Sequence, residues 1–145
     1  MVIAVLNGPS LNLLGVREPS IYGSETLEDI EHSLRQVGDE LGISLEFSQR
    51  NGEGELIDCI HALRGRADGV VINAGAYAHS SLAIRDAFAA TAMPYVEVHL
   101  SNIFAREPER RHSVLASGAL AILSGFGAFG YELALRGLVR ALARD

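Results

Sequence analysis

Five short apolar segments alternate with longer segments of helical periodicity along the chain. The apolar segments are Val2-Leu6, Ile43-Phe47, Val70-Ile72, Tyr95-Val98 and Ala119-Leu123. No tight-turn signal of a hairpin separates them, so each strand is predicted to return through a helix. Repeated strand-helix units form a parallel sheet with helices on both faces. The chain is therefore predicted to be an α/β, flavodoxin-like three-layer sandwich with a five-stranded parallel sheet.

Four segments have the periodicity and boundaries of helices. TLEDIEHSLRQVGDELG repeats apolar residues at helical spacing, with Thr26 placed to cap its start and Gly42 its end. The other three predicted helices run from Glu55 to Gly65, from Ser80 or Ser81 through Phe88, and from near Gly130 to the last residues. The second apolar segment alternates with polar residues, which is typical of an edge strand that is half exposed to water.

Composition narrows the classes of protein. A length of 145 residues with 48% hydrophobic residues and four prolines predicts one domain over residues 1–145. A net charge of -6 and 6% aromatic residues argue against a nucleic-acid partner. No apolar run approaches the ~18 residues that span a bilayer, and the amino terminus lacks signal-peptide features. We expect a cytoplasmic chain with no membrane partner, whose single cysteine, Cys59, belongs to the core.

Polar residues follow the apolar segments at the ends where α/β sheets bind ligands. Asn7, Asn73 and His99 each stand directly after such a segment. A single asparagine there is usually a turn residue, but a turn does not explain the basic and aromatic residues in the following loops. These are Arg17, Tyr22, His79, Arg106, Arg110, Arg111 and His112. The pattern indicates a polar crevice with a cationic rim, suited to a small anionic, polyhydroxylated molecule.

Two other ligand chemistries are not supported by the sequence. GFGAFG fits G-x-G-x-x-G, but no second strand with an acidic residue follows it at the required distance. We interpret these glycines as a close contact between the last helix and the sheet. His79, Glu97, His99 and His112 lack the spacing of a zinc site, and the nearby arginines oppose a cation.

Five successive stretches resemble the signatures of type II 3-dehydroquinate dehydratases. They are LNGPSLNLLGVREPSIYG, EGELID, NAGAYAHSSLAIRDA, VEVHLSNIFARE and RRHS. The series covers nearly the whole chain and is more specific than any single motif. The resemblance implies a flavodoxin-like fold without metal or cofactor, assembled as a homododecamer (a tetramer of trimers). It also implies dehydration of 3-dehydroquinate to 3-dehydroshikimate, in shikimate biosynthesis or in quinate catabolism.

The resemblance assigns the catalytic roles to four residues. Tyr22 matches the base, which works as tyrosinate, and Arg17 matches the essential loop arginine. A free phenol has a pKa near 10, and a cation within about 4 to 6 Å lowers the pKa of an acid by about 1 to 3 units. His99 matches the general acid that protonates the departing hydroxyl, with Glu97 orienting it. Without the other motifs, Arg17 and Tyr22 would be interpreted as a solvated loop pair. The alternative for Glu97 and His99 is a pair that is only structural and buried.

The loop that follows the first apolar segment, within residues 6–23, is predicted to act as a lid over the ligand. Gly15 and Gly23 flank the segment that carries Arg17 and Tyr22, and they allow hinge motion. Closure over the ligand excludes water and so strengthens the electrostatic interactions inside.

The resemblance also implies a substrate-binding set. Its members are Asn73, His79, Asp86, Leu100, Ser101, Arg106 and Arg110. Leu100 and Ser101 contribute backbone amides for a carboxylate, and Arg110 binds a ring hydroxyl. Asp86 matches a residue that reaches the site of the neighbouring subunit in the trimer, so assembly and activity are predicted to be linked.

The chain departs from the family pattern at Ser10, where most relatives carry Asn. That amide is thought to help hold a water against the enolate oxygen, and a serine hydroxyl has a shorter reach. Loss of one such donor costs about 10² to 10³ in rate if nothing replaces it. Further departures stand at Gly52, Phe104, Glu109 and Val114. A non-catalytic or altered-substrate paralogue that binds a small carboxylated polyol therefore stays as the alternative.

Overall fold

Five parallel strands form the centre of the structure, a computed structural model that describes residues 1–16 and 18–144. They are β1 (Val2–Asn7), β2 (Ser44–Gln49), β3 (Gly69–Asn73), β4 (Tyr95–His99) and β5 (Ala121–Ser124). Each predicted apolar segment forms a strand. Four strands run one residue past their apolar segment and so end on a polar residue: Asn7, Asn73, His99 and Ser124.

The strand order is β2-β1-β3-β4-β5, with every neighbouring pair parallel. This is the flavodoxin-like doubly wound order, in which the ligand crevice lies between β1 and β3. The register places Asn7 beside Asn73 and Ile72 beside Glu97. Polar ends of three adjacent strands therefore meet at one edge of the sheet. The predicted fold class is confirmed, and β2 is an edge strand as expected.

Helices cover both faces of the sheet. They are α2 (Leu27–Leu41), α3 (Glu53–Ala62), α4 (Leu82–Thr91) and α5 (Phe129–Ala143), whereas the short helix α1 (Pro19–Tyr22) belongs to the loop after β1. On β1, Ile3 and Val5 pack with α2 and α5, whereas Ala4 and Leu6 pack with α3 and α4. Burial on both faces explains why this strand is apolar without alternation. Within the two described ranges, no helix is long and apolar enough to cross a membrane.

Local hydrogen bonds set the helix boundaries. A capping box starts α2, because Thr26 accepts from the Asp29 N–H at 3.1 Å and Asp29 accepts from the Thr26 N–H at 3.0 Å. Gly42 ends α2 with a φ of 68°, as predicted. The prediction for α3 was wrong at its start, which lies at Glu53 rather than Glu55, and at its end, which lies at Ala62 rather than Gly65. There the Leu63 N–H bonds three residues back, so the chain tightens out of α geometry.

The fifth strand begins two residues later than predicted. A 3₁₀ turn occupies Ala116–Gly118, and pairing with β4 begins only where Ala121 meets Val96. Strand pairing is a long-range contact, so apolar residues such as Leu120, which is 56% exposed, do not reveal where it starts.

The long loop after β1 contains a short helix that the sequence did not indicate, α1. Gly15 and Gly23 flank it with φ values of 91° and 85°, a region that favours glycine. Arg17 lies outside the described residues. The predicted closure of this loop as a lid stays a prediction.

The residue that ends α4, Ala92, has a left-handed backbone conformation that can be tested by mutation. Ala92 has a φ of 52° and is exposed, and a non-glycine residue in this region costs about 1 kcal/mol. We expect Ala92→Gly to raise the free energy of unfolding in urea by about 0.5 to 1 kcal/mol. The matched control is Ala89→Gly, at an exposed position inside the same helix, which should lower it by about 1 kcal/mol. Equal effects of the two changes would contradict strain at Ala92.

Candidate active site

A cleft of about 140 Å³ opens at the carboxyl edge of the sheet, beside the ends of β1, β3 and β4. Its position is the one at which doubly wound sheets bind ligands. Predicted site residues that line it are Ser10, Tyr22, Asn73, His79, His99, Leu100, Ser101, Arg106 and Arg110. The structure thus gathers residues from distant parts of the chain around one cleft.

A buried acid-base pair borders the cleft. Glu97 and His99 occupy alternate positions of β4, so both side chains face the same side of the sheet. Nε2 of His99 bonds to Oε2 of Glu97, and the two residues are 5% and 0% exposed. The other carboxylate oxygen, Oε1, accepts a hydrogen bond of 2.8 Å from the hydroxyl of Ser113. A carboxylate held in this way orients the imidazole and balances the charge of a protonated ring.

His79 lies beside this pair, with its ring centre 6.1 Å from that of His99. Its Nδ1 is 2.7 Å from the carbonyl oxygen of His112, and Nε2 of His112 is 2.8 Å from the carbonyl oxygen of His79. Because a carbonyl only accepts, Nδ1 of His79 carries a proton. Burial lowers the pKa of His79, and nearby positive charges add to this, although the bond to His112 opposes it. The neutral ring then has its lone pair on Nε2, as an acceptor for a ligand.

Tyr131 joins the two asparagines at the strand ends. Its buried hydroxyl donates to Oδ1 of Asn7 at 2.5 Å and accepts from Nδ2 of Asn73 at 3.0 Å. Oδ1 of Asn73 accepts from the Gly75 N–H at 3.1 Å. Burial raises the pKa of Tyr131, so its hydroxyl keeps the proton that it donates. These bonds hold the Asn73 amide rigidly, with a second N–H on Nδ2 for a ligand.

Arg106 contacts the hydroxyl of Tyr22 in the cleft lining. Its Nη1 donates to Tyr22 at 3.3 Å and to the Ser101 hydroxyl at 3.1 Å. The guanidinium carbon lies 5.4 Å from the centre of the Tyr22 ring. Burial acts to lower the pKa of Arg106, but the bond to Tyr22 and nearby negative charge outweigh it, so the pKa is raised. Arg106 was predicted only as a substrate ligand, and the structure adds this contact with the predicted base.

Ser10 lines the cleft with a left-handed backbone, at a φ of 67°. Its N–H donates to Oδ1 of Asn51 at 3.1 Å, and Nε2 of Gln49 donates to the same oxygen at 3.0 Å. Asn adopts this backbone region more readily than Ser. A Cβ at Gly8 would lie 2.3 Å from the carbonyl oxygen of Ala74, so glycine allows the loops after β1 and β3 to approach this closely.

The backbone N–H groups of Leu100 and Ser101 point away from the loop after β5. The carbonyl of His99 accepts from the Gly125 N–H at 3.2 Å, and that of Leu100 accepts from the Gly127 N–H at 2.9 Å. In a trans peptide the N–H points opposite to the carbonyl of the preceding residue. Both N–H groups are therefore directed to the other side, and the two residues line the cleft. This orientation supports their predicted use as a carboxylate cradle.

Arg110, Asp86 and Arg17 complete the predicted set. Arg110 lines the cleft, and its Nε donates to Oε1 of Glu107 at 2.5 Å. Asp86 is exposed on α4 and does not line the cleft of its own chain. Arg17 lies outside the described residues, so its role is untested. Apart from Arg17 and Asp145, no group of three or more His, Cys, Asp or Glu side chains is placed to hold a metal ion.

Sequence reasoning missed three residues that support the site. Tyr131 reads as an ordinary core residue of an apolar helix, Ser113 as part of a polar loop, and Asn51 as a turn residue. Ser113 stood within RRHS, one of the stretches that carry the family resemblance, which was the available signal. Nothing in the local pattern of Tyr131 or Asn51 indicates their partners.

Comparisons with known proteins find dehydroquinases that are similar over nearly the whole chain. The model of the dehydroquinase class II family matches residues 1–139, a range that contains the entire cleft lining. A 3-dehydroquinate dehydratase of Gemmatimonas aurantiaca is 63% identical, over 98% of this chain and 93% of its own length. One from Prochlorococcus marinus is 56% identical, over 99% of both chains.

A solved structure of a type II dehydroquinase has the same fold. The crystal structure of a type II dehydroquinase from Butyrivibrio crossotus matches with a TM-score of 0.94 and 41% identity. The match covers 96% of this chain and 97% of that one.

The environment of His79 predicts how it titrates. We expect its pKa to lie below the ordinary 6.5, mainly because of burial. The unfolded chain then binds this proton more readily, so His79 lowers the free energy of unfolding as pH falls from 6.5 through the folded pKa. An NMR titration of the ring signals, assigned with His79→Asn, measures this. A folded pKa at or above 6.5 would contradict the neutral acceptor.

Proposed function

The chain belongs to the dehydroquinase class II family, and we propose that it removes water from 3-dehydroquinate to give 3-dehydroshikimate. One observation carries this proposal: Tyr22 and His99 line the same cleft, with Tyr22 bonded to the guanidinium of Arg106 and His99 to the carboxylate of Glu97. An elimination of water needs one group that takes a proton and another that gives one. The cleft offers both.

The first step removes a proton from the carbon beside the ketone. Tyr22 is proposed to take this proton as tyrosinate, and Nη1 of Arg106 lies 3.3 Å from its oxygen. Arg17, on the same loop, is proposed as a second such cation. The electrons of the broken C–H bond pass into an enolate. Ser10 is proposed to hold a water against the enolate oxygen.

The second step expels the hydroxyl at the β carbon. His99 gives its proton to this hydroxyl while the carbon-oxygen bond breaks and the enolate electrons form the new double bond. Glu97 keeps the ring oriented and balances its charge before the transfer. Tyr22 then holds the proton taken from the substrate and His99 lacks one, so exchange with solvent restores both.

The remaining lining residues are proposed to hold the substrate. Its carboxylate is placed on the N–H groups of Leu100 and Ser101. Its hydroxyls bond to the second N–H of Asn73, to the Nε2 lone pair of His79 and to Arg110. A neutral imidazole accepts from a hydroxyl, whereas Arg110 only donates, so the cleft distinguishes the two faces of a polyol.

Assembly is proposed from the family resemblance. A homododecamer would bring Asp86 of one subunit to the site of another, since Asp86 lies away from the cleft of its own chain. A cytoplasmic location, a single domain over residues 1–145, the absence of a cofactor and the choice between shikimate and quinate metabolism also stay predictions.

Ultraviolet spectroscopy tests the proposed function. The product is a conjugated enone, so purified protein with 3-dehydroquinate should give a rising ultraviolet absorbance. No signal at high protein concentration, with ligand binding intact, would favour the alternative paralogue that Ser10 suggests.

The variant Ser10→Asn tests whether the serine limits the rate of dehydration. It should raise the rate if serine is a defect, whereas an equal rate would show that the site already compensates for the missing amide.

Tyr22→Phe removes the proposed base while it keeps the ring. We expect kcat to fall by about 10² to 10⁴-fold, the usual contribution of a positioned base, while affinity for 3-dehydroshikimate changes little. Rapid absorbance assays and titration calorimetry measure the two quantities. Tyr77→Phe is the matched control, since this hydroxyl bonds to the Asn51 carbonyl outside the lining. Full activity of Tyr22→Phe would remove Tyr22 as the base.

A further inference from the structure

Ser113 makes a contact that the proposed mechanism does not use. Glu97 is fully buried, and its two carboxylate oxygens have different partners. Oε2 bonds to His99, and Oε1 accepts from the Ser113 hydroxyl at 2.8 Å. A buried carboxylate that loses a hydrogen bond is strongly destabilised. The direction in which this carboxylate faces therefore depends on Ser113.

The Ser113 hydroxyl is itself fixed in direction. It accepts from the Leu115 N–H at 3.1 Å, so its single proton is directed elsewhere, at Glu97. Leu115 is fully buried, and its carbonyl accepts from the hydroxyl of Tyr95. The donor to Glu97 thus stands on an anchored segment rather than on a loose loop.

The same segment also touches the loop that carries His79. The Val114 N–H donates to the Ala78 carbonyl at 2.8 Å, and the His112 carbonyl receives Nδ1 of His79. Residues 112–115 therefore contact both imidazoles of the cleft, His79 directly through the His112 carbonyl and His99 through Glu97. Ser113 does not line the cleft, and its hydroxyl proton reaches the cleft residues through Glu97.

We propose that Ser113 is a positioning residue: its hydroxyl holds the Glu97 carboxylate so that the carboxylate aims the His99 ring at the departing hydroxyl. The inference rests on the proposed role of His99 as the acid. Without the Ser113 donor, the carboxylate rotates or binds a proton, and either change releases the His99 ring. Contacts that hold the ground-state substrate, such as Asn73 and Arg110, are unaffected.

The effect is expected on the chemical step and not on binding. Ser113→Ala should lower kcat by about 10 to 100-fold, the range for a lost hydrogen bond to a charged group, with KM nearly unchanged. Ser113→Thr keeps the hydroxyl and should restore most of the rate. Ser113→Cys keeps the volume but offers a weak donor, and it should reduce kcat, which decides the question if the alanine variant does not fold.

A structural role is separated by a control and by a signal that does not need turnover. Tyr95→Phe removes a different hydrogen bond of the same segment, so it should lower the melting temperature while kcat stays near wild type. In NMR spectra, the Nε2 proton of His99 is visible only while its bond to Glu97 protects it from exchange. It should persist in wild type, Ser113→Thr and Tyr95→Phe, and broaden in Ser113→Ala.

The outcomes distinguish this inference from the proposed function. Wild-type kcat in Ser113→Ala, or an unchanged His99 proton signal in that variant, would overturn the role of Ser113. A loss of kcat that Tyr95→Phe shares equally would show a structural effect only and would also overturn it. If wild type does not dehydrate 3-dehydroquinate, the proposed function fails, while the His99 signal still decides whether Ser113 positions Glu97.

Discussion

The parallel register of β1, β3 and β4 is the constraint on which the site depends. Because Asn7 pairs with Asn73 and Ile72 with Glu97, the polar strand ends arrive side by side. A slip by one residue would turn every strand side chain to the opposite face and bury polar groups among the helices. The hydroxyl of Tyr131 on α5 bonds to both asparagines and so links the ends of β1 and β3.

The cleft carries two guanidinium groups although the chain as a whole is negative. The chain carries a net charge of -6, yet Arg106 and Arg110 both line the cleft. Glu107 lies between them, with its carboxylate 3.6 Å from Arg106 and 2.5 Å from Arg110. It limits the motion of two long side chains without entering the lining, so an anionic ligand meets guanidinium groups that are already oriented.

The fold was more accessible from sequence than the contacts within the site. Hydrophobic periodicity reports burial, so it located every strand, and the residue type at the start of α2 indicated the cap at Thr26, although not its reciprocal bond with Asp29. It also placed Glu97 and His99 on one strand face, because their spacing is local. The bonds of Tyr131 and Ser113 join residues far apart in the chain or across a loop, and no local pattern encodes them. The left-handed backbone of Ser10 was equally hidden, since serine carries no signal for it, unlike glycine at Gly42.

The two imidazoles of the cleft differ because of what their ring nitrogens touch. His99 bonds to a carboxylate, whereas the hydrogen bond that the described residues give the His79 ring runs to a carbonyl, which accepts an N–H but brings no charge. Burial and neighbouring positive charge lower the pKa of His79, which favours its neutral ring. One ring is thus held by a carboxylate, and the other is suited to accept a hydrogen bond from a substrate hydroxyl. Residues 112–115 provide the carbonyl for one and the support of the carboxylate for the other.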